Sequence, residues 1–382
     1  MADRILSFFC SLRLTVVCLV AALILVFVGT MAQVHEGLYA AQNRYFRSML
    51  IYWSPQGFPL RIPVFPGGYL VGGLLLINLT ASYMRRFSFN RDTIGQQLTH
   101  GGIVLLLVGQ FATDSLQVES HMRLSEGEAK NYSEDGSKFE LALIDATQGG
   151  SEKVVAIPEN LLARQKEIQI PSLPFAIKVN RYWRNSRLSQ LGTNAPGATE
   201  ASRGFGQSIA VRELPATVKM DERNLPSVIV EPVSPQGKGG TWLASSMLED
   251  PQSFQVGGGT YQMVMRPARY YNPFYIELMK FSHDKYKGTE IPKNFSSRVR
   301  LLNKASGEDR EVLIYMNNPL RYGGKTFYQS GYDENNPKVT ILQVVRNPGW
   351  LTPYVSCALV SAGLLIQFMS HLVGFIKQRK SA

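Results

Sequence analysis

The sequence predicts an integral membrane protein in which four transmembrane α-helices, three N-terminal and one C-terminal, flank a mainly antiparallel β extracytoplasmic domain. Three observations lead there. Four stretches lack Asp, Glu, Lys and Arg: Leu14–Val34, Ile62–Met84, Thr93–Thr113 and Asn347–Ile376. Each is long enough to span a bilayer, since about 20 helical residues cross the ~30 Å hydrocarbon core. The polar bulk between the third and fourth stretches alternates apolar and polar residues in short runs. Basic residues gather at the chain ends and at one turn, as a membrane topology requires.

The N-terminal membrane region covers 1–113, with helices expected at about 14–34, 62–84 and 93–113. Arg4 and Arg13 precede the first apolar run, as in a signal peptide. The length of that run, the poor cleavage site "GTMAQ" and two further spans close behind favour a retained helix. In the second stretch, "GGYLVGG" sets Gly68 and Gly72 four apart, the spacing of a helix-packing face. The third is diluted by Gln96, Gln97, Thr99, His100 and Gln110.

Arg85, Arg86 and Arg91 crowd the turn between the second and third stretches, and Lys377, Arg379 and Lys380 end the chain. By the positive-inside rule both termini and the 85–92 turn are cytoplasmic, leaving the 35–61 loop and residues 114–346 outside. Outside 114–346 there are 11 basic and 3 acidic residues; within it there are 29 and 26. The basic pI therefore reflects topology and partnership with membrane lipid, with no nucleic-acid surface implied. Cys10 and Cys18 lie in or beside the first span and Cys357 in the last, so the external domain is no disulfide scaffold. C-x-x-C and C-x-x-C-H are both absent, excluding a thioredoxin-like reductant and self-attached c-type haem.

Residues 114–346 carry runs such as "FELALIDA" (139–146), "FAIKVNRYW" (175–183), "SIAVREL" (208–214) and "PSVIVEPV" (226–233), separated by Gly, Pro and Asn clusters. They read as strands of a sandwich or barrel. Residues 190–207 read as a mobile loop or insertion, and a boundary near 255 would give two β units. Residues 347–382 complete the chain as the C-terminal transmembrane helix and a short basic cytoplasmic tail.

His100 is the first candidate site residue. A hydrogen-bonding imidazole in a span is costly, so it faces protein, water or a ligand. It lies about 10 Å deep on the cytoplasmic side. Gln96 and Gln97 precede it on the same helical face, and Gly101 and Gly102 leave room for something flat. A neutral imidazole is a good axial ligand for haem iron when an acceptor such as Gln96 holds its other nitrogen. The alternative is an interhelical hydrogen bond.

His371 is a second candidate at similar depth, with Gln367 four residues before it, although a His near a helix end also snorkels to the interface. His35 and His121 sit at boundaries where a solvated imidazole costs nothing. His283 has Asp284 beside it, but adjacent strand residues point to opposite faces. "RYGGKT" (321–326) lacks the P-loop glycine and reads as a hairpin turn. The clusters "RYWRNSR" (181–187) and "RPARYYNPFY" (266–275) suit either a flat ligand or cross-strand packing.

The stretches "LRLTVVCLVAALILVFVGT", "THGGIVLLLVGQF", "IELMKFSHDKYKGTEIPKNFSSRVRL", "MNNPLRYGGKTFYQSGYD" and "RNPGWLTPYVSCALVSAGLLIQF" resemble, in order, the ResB-like (CcsB) proteins of cytochrome c biogenesis. The resemblance implies a subunit of System II haem attachment. With a ResC/CcsA-type membrane protein it would carry haem b across the membrane, haem being transported and not permanently held. The complex would support covalent attachment to the C-x-x-C-H motifs of apocytochrome c. His100 matches the family's proposed axial ligand, so the metal contact would be through haem iron, with Gln96 behind it and His371 as an alternative ligand. The chain itself would hold no complete catalytic site, as one subunit of a synthetase. The contrasting reading is a membrane-anchored scaffold holding apocytochrome c for the partner. The implied location is a bacterial inner membrane with the large domain on the periplasmic side, rather than a thylakoid.

Overall fold

The computed structural model describes residues 2–53, 62–85, 87, 90, 93–147, 153–191, 201–217, 223–235, 237–285, 292–333 and 335–381. They form two compact units, a helical one from Met1–Gln117 with Asn347–Ala382, and a β unit from Val118–Thr217 with Glu222–Arg346. Arg61, Arg86 and Arg91 lie outside the described residues, as does 192–200 of the expected loop.

In the helical unit a short helix, Ala2–Phe9, breaks at Cys10 before the first long helix, Leu12–Glu36. Ser11 caps that helix, its Oγ accepting from the Arg13 N–H at 3.2 Å. Gly37 ends it with φ +83°, a conformation that glycine adopts without strain. Only Cys18, Leu25 and Gly29 of the helix are buried, one narrow stripe, while Val17, Leu23 and Phe27 point outward. Apolar side chains turned outward on this scale fit a lipid surrounding. The C-terminal helix, Thr352–Ser381, repeats the pattern with Leu365 and Phe368. Among the described residues these two helices are long and apolar enough to cross a membrane.

Helices also lie at the second and third stretches, Gly68–Arg85 and Ile94–Leu116. The second begins later than the sequence suggested. Ile62–Pro66 is a strand paired with Leu50–Trp53, because Pro63 and Pro66 withhold the amide hydrogens that a helix interior needs. The expected packing face through Gly68 and Gly72 is also absent. A Cβ at Gly68 would meet the Phe46 carbonyl at 2.4 Å, whereas one at Gly72 would meet nothing within 4 Å.

The close helix contact lies elsewhere. Gly95, Gly102 and Gly109, seven residues apart, are the buried residues of Ile94–Leu116. A Cβ on each would press on the C-terminal helix: 2.8 Å from the Gly363 carbonyl, 2.7 Å from Val360 Cγ2 and 2.1 Å from Thr352 Cγ2, respectively. Gly363 answers from the other side, 2.6 Å from the Gly95 carbonyl. The two helices are thus antiparallel and in backbone contact, held by dispersion between closely approached main chains.

The β unit is organised by one 27-residue strand, Gly259–Lys285. It pairs with Ala129–Asp145 along most of its length, with Gln252–Val256 at its start and with Pro292–Asn303 at its end. A ten-stranded antiparallel sheet grows around it, near-barrel in form, and continues through Val118–Ser125, Asn336–Arg346 and Lys325–Asp333. A five-stranded sheet containing Ala176–Trp183, Ser227–Ser234 and Trp242–Ser245 covers one half. There Leu141, Leu143, Ile177, Val228 and Met263 make one core; Leu124, Ile276, Val299, Phe327 and Leu342 make a second in the other half. Because the long strand serves both cores and Val118–Ser125 belongs to the second, a cut near 255 does not separate them. Ser186–Gln190 pairs antiparallel with Ile209–Glu213.

Two predictions follow. Gly102→Leu, which forces a side chain into the helix contact, should destabilise the helical unit by about 1–3 kcal/mol, whereas Gly72→Ala should leave thermal unfolding of the detergent-purified chain within experimental scatter. The second concerns pH. Burial pushes the Tyr270 phenol up to about 12, helped by its 2.8 Å hydrogen bond to Asp135. Burial acts against the Asp135 carboxylate, but hydrogen bonds from Ser137 and Tyr270 outweigh it and hold it low. A raised tyrosine contributes stability below its unfolded pKa of about 10 and loses it as pH rises through the folded value. The lowered Asp contributes above about pH 4 and fades below it. Unfolding of the β signal should therefore show an alkaline loss above about pH 10, shared with the raised Tyr182 and Tyr261, that Tyr270→Phe reduces.

Candidate functional site

His100 lies on Ile94–Leu116, on a different face from the glycines. Because the glycine row is committed to the C-terminal helix, the residues at 96, 100, 103 and 107 turn toward the other two helices. They line a cavity of about 440 Å³. Leu12, Thr15 and Leu19 of the first long helix supply a second wall, and Leu75, Asn78, Leu79, Ser82 and Tyr83 of Gly68–Arg85 a third. Cys10, at the helix break, completes the lining, which contains no charged side chain. A volume of this order and a mostly apolar lining with a few polar groups suit a small-molecule ligand.

The imidazole is oriented within this cavity. Nδ1 of His100 lies 2.8 Å from the main-chain carbonyl of Gln96, one helical turn back. The acceptor is thus the peptide group of Gln96 and not the side-chain amide that the sequence suggested. A carbonyl only accepts, so Nδ1 carries a proton, and in the neutral ring Nε2 is then the nitrogen with the lone pair, with no hydrogen-bond partner among the described residues. Neutral imidazole with a free Nε2 is the form that ligates a metal.

His371 is not brought to this cavity. In the antiparallel register Gly102 lies against Ser356 and Val360, and Gly95 against Gln367. His371 is therefore about three turns, roughly 16 Å, from the level of His100. It is exposed, and its Nε2 accepts from the Gln367 amide at 2.7 Å. The sequence set the two histidines at similar depth by counting from Lys377, whereas the helix register sets them at different levels and the C-terminal helix runs on to Ser381.

The other candidates do not line this cavity. His35 is exposed in the last turn of its helix. His121 stands on a strand opposite Glu134. The His283 ring stacks on Phe295 and Tyr332 at centroid distances of 4.7 and 4.4 Å. Gly323 and Gly324, at φ +58° and +72°, form the tight hairpin turn expected of "RYGGKT". Arg266 pairs with buried Glu140 at 3.0 Å, and Arg269 pairs with Glu134 while lying 4.1 Å over the Tyr132 ring, so this cluster is cross-strand packing. In "RYWRNSR", Trp183 is buried and Arg181 covers its ring.

Asn78 is a site residue that sequence reasoning missed. It is 2% exposed in an apolar helix. Its amide nitrogen donates to the carbonyls of Phe9 at 2.6 Å and Ser11 at 3.1 Å, and its oxygen accepts from Thr15 at 2.6 Å. It thereby satisfies main-chain groups freed where Ala2–Phe9 ends, fixing the break that places Cys10, Leu12 and Thr15 around the cavity. The signal was present: a polar residue inside "LLLINLT" is as anomalous as His100. Asn78→Leu should orphan the Phe9 carbonyl, while Ser11 keeps its bond from the Thr15 N–H, at a cost of about 1–3 kcal/mol. Maleimide labelling of Cys10, in a chain with Cys18→Ser and Cys357→Ser, should accelerate accordingly.

Comparison with known proteins gives two resemblances, of which the family match falls on the β unit. Residues 239–341 match the ResB-like family. Protein NrfI of Wolinella succinogenes is 38% identical over 93 residues, which is 24% of this chain and 10% of NrfI. The His100 cavity lies outside the family match. Residues 239–341 of this chain therefore resemble a ResB-like family domain, and the chain is distantly similar to a tenth of NrfI.

Proposed function

We propose that this chain is a subunit of cytochrome c biogenesis that holds haem in transit, with His100 as an axial ligand to the iron. The observation that carries the reading is the oriented imidazole: Nδ1 on the Gln96 carbonyl and Nε2 free beside an apolar cavity. The ResB-like domain supplies the biological context.

The cavity residues fit a tetrapyrrole. Leu19, Leu75, Ile103 and Leu107 offer surface to a flat apolar ring, and excluding water there favours ring burial. The carbonyl of Gln96 holds the proton at Nδ1 and makes Nε2 the better donor. With no charged side chain in the lining, the propionates are left to the cavity ends. Haem, as substrate, supplies iron with open axial positions and the vinyl groups that become thioether links. This chain supplies neither the thiols nor a reductant, having no C-x-x-C.

On this reading the helices at 68–85 and 94–116 join the two long apolar helices as membrane spans, with both termini cytoplasmic and the β unit outside. A ResC/CcsA-type membrane protein would provide the opposite axial ligand and the attachment site, and the β unit would meet apocytochrome c. A bacterial cytoplasmic membrane is the setting that fits.

The test is ligand replacement. His100→Gly should lower cytochrome c maturation by about tenfold or more, the scale on which metal-ligand losses are felt. Imidazole added to the medium should restore much of it. Wild-type maturation in His100→Gly without imidazole would mean that the side chain only packs.

A further inference from the structure

Strand Lys325–Asp333 pairs with Asn336–Arg346 so that Thr326 stands opposite Val345. One step outward, Lys325 and Arg346 therefore face each other on the same side of the sheet. Like charges directly opposite destabilise a strand pair unless something negative lies between them. Burial and the adjacent Arg346 charge hold the Lys325 ammonium below the usual lysine range, and among the described residues no carboxylate acts on it.

A third polar group is tied to Lys325. Lys325 donates to Oδ1 of Asn272 at 2.5 Å, which orients the amide. Asn272 is 5% exposed, and its Nδ2 is buried with no hydrogen-bond partner. The backbone explains its placement: the pairing of the long strand with Ala129–Asp145 slips between Tyr271 and Ile276, and Asn272 falls in that irregular stretch. Lys325 has the Asn272 oxygen as acceptor and Arg346 reaches solvent, but the buried Asn272 Nδ2 has none, and no carboxylate offsets the two cations among the described residues. An oxygen anion would satisfy that amide and both charges together.

We propose that Asn272, Lys325 and Arg346 form a binding site for an oxyanion, a carboxylate or phosphate carried by a small ligand. The site is independent of the His100 reading, because all three residues belong to the β unit. Along the chain Arg346 precedes the C-terminal helix by six residues. A haem propionate and a phospholipid phosphate are the two sources to distinguish.

The experiment uses the full chain purified in detergent, with inorganic phosphate as the first probe and thermal unfolding as the readout. Phosphate should raise the wild-type midpoint, and Lys325→Gln or Arg346→Gln should weaken its binding about tenfold or more, as expected for a lost charge-assisted hydrogen bond. Glutamine at 325 keeps a donor toward Asn272, and Arg346 is exposed, so both variants retain the fold. Two further arms identify the source. A preference for haem over haem dimethyl ester, lost in Lys325→Gln, assigns a propionate. A preference for phosphatidylglycerol over phosphatidylcholine nanodiscs, lost in the same variant, assigns a lipid phosphate. The proposal is overturned if phosphate, haem and phosphatidylglycerol all act equally on the wild type and the Lys325→Gln/Arg346→Gln double variant.

Discussion

The helical unit depends on one contact, the meeting of the main chains of Ile94–Leu116 and Thr352–Ser381 along Gly95, Gly102 and Gly109. A side chain at any of these positions would overlap the opposing helix. The contact uses up one face of the histidine helix and thereby decides what His100 meets. With the glycine row turned to the C-terminal helix, the face carrying Gln96, His100, Ile103 and Leu107 is left for the first long helix and Gly68–Arg85. Two segments far apart in sequence are joined here by close approach of their main chains, which suits a medium where apolar surface alone gives little preference between protein and lipid.

Two polar residues that line the cavity are tied to the main chain. His100 uses the Gln96 carbonyl, and Asn78 uses those of Phe9 and Ser11. The two differ in what remains. Asn78 spends its donors and acceptor within the protein, so it shapes the cavity. His100 spends only Nδ1, so Nε2 is available to a ligand. That difference, more than burial or charge, separates a residue that positions a wall from one that binds.

Much of the architecture was legible from periodicity. Alternating runs such as 139–146 and 226–233 became strands because their apolar positions repeat every second residue, and the Gly323-Gly324 pair became a hairpin turn because both positions take positive φ. His100 stood out because an imidazole is anomalous in an apolar run. Other features were visible but misjudged. Pro63 and Pro66 argued against a helix at Ile62, but the length of the uncharged run outweighed them. The G-x-x-x-G at Gly68 drew attention from the seven-residue spacing of 95, 102 and 109. His371 was placed by its distance from Lys377, whereas the register of the helix contact sets its true level. The Asn272, Lys325 and Arg346 cluster was not legible, since it needs a strand slip and a cross-strand register that no local pattern encodes.

The most direct test of His100 as an oriented axial ligand is the reduced optical spectrum of the full chain purified with its haem-handling partner. Wild type and His100→Ala would be compared at equal protein. The α-band of low-spin haem should be present in the first and largely lost in the second, with Asn78→Leu intermediate. An α-band of equal position and intensity in wild type and His100→Ala would contradict the account.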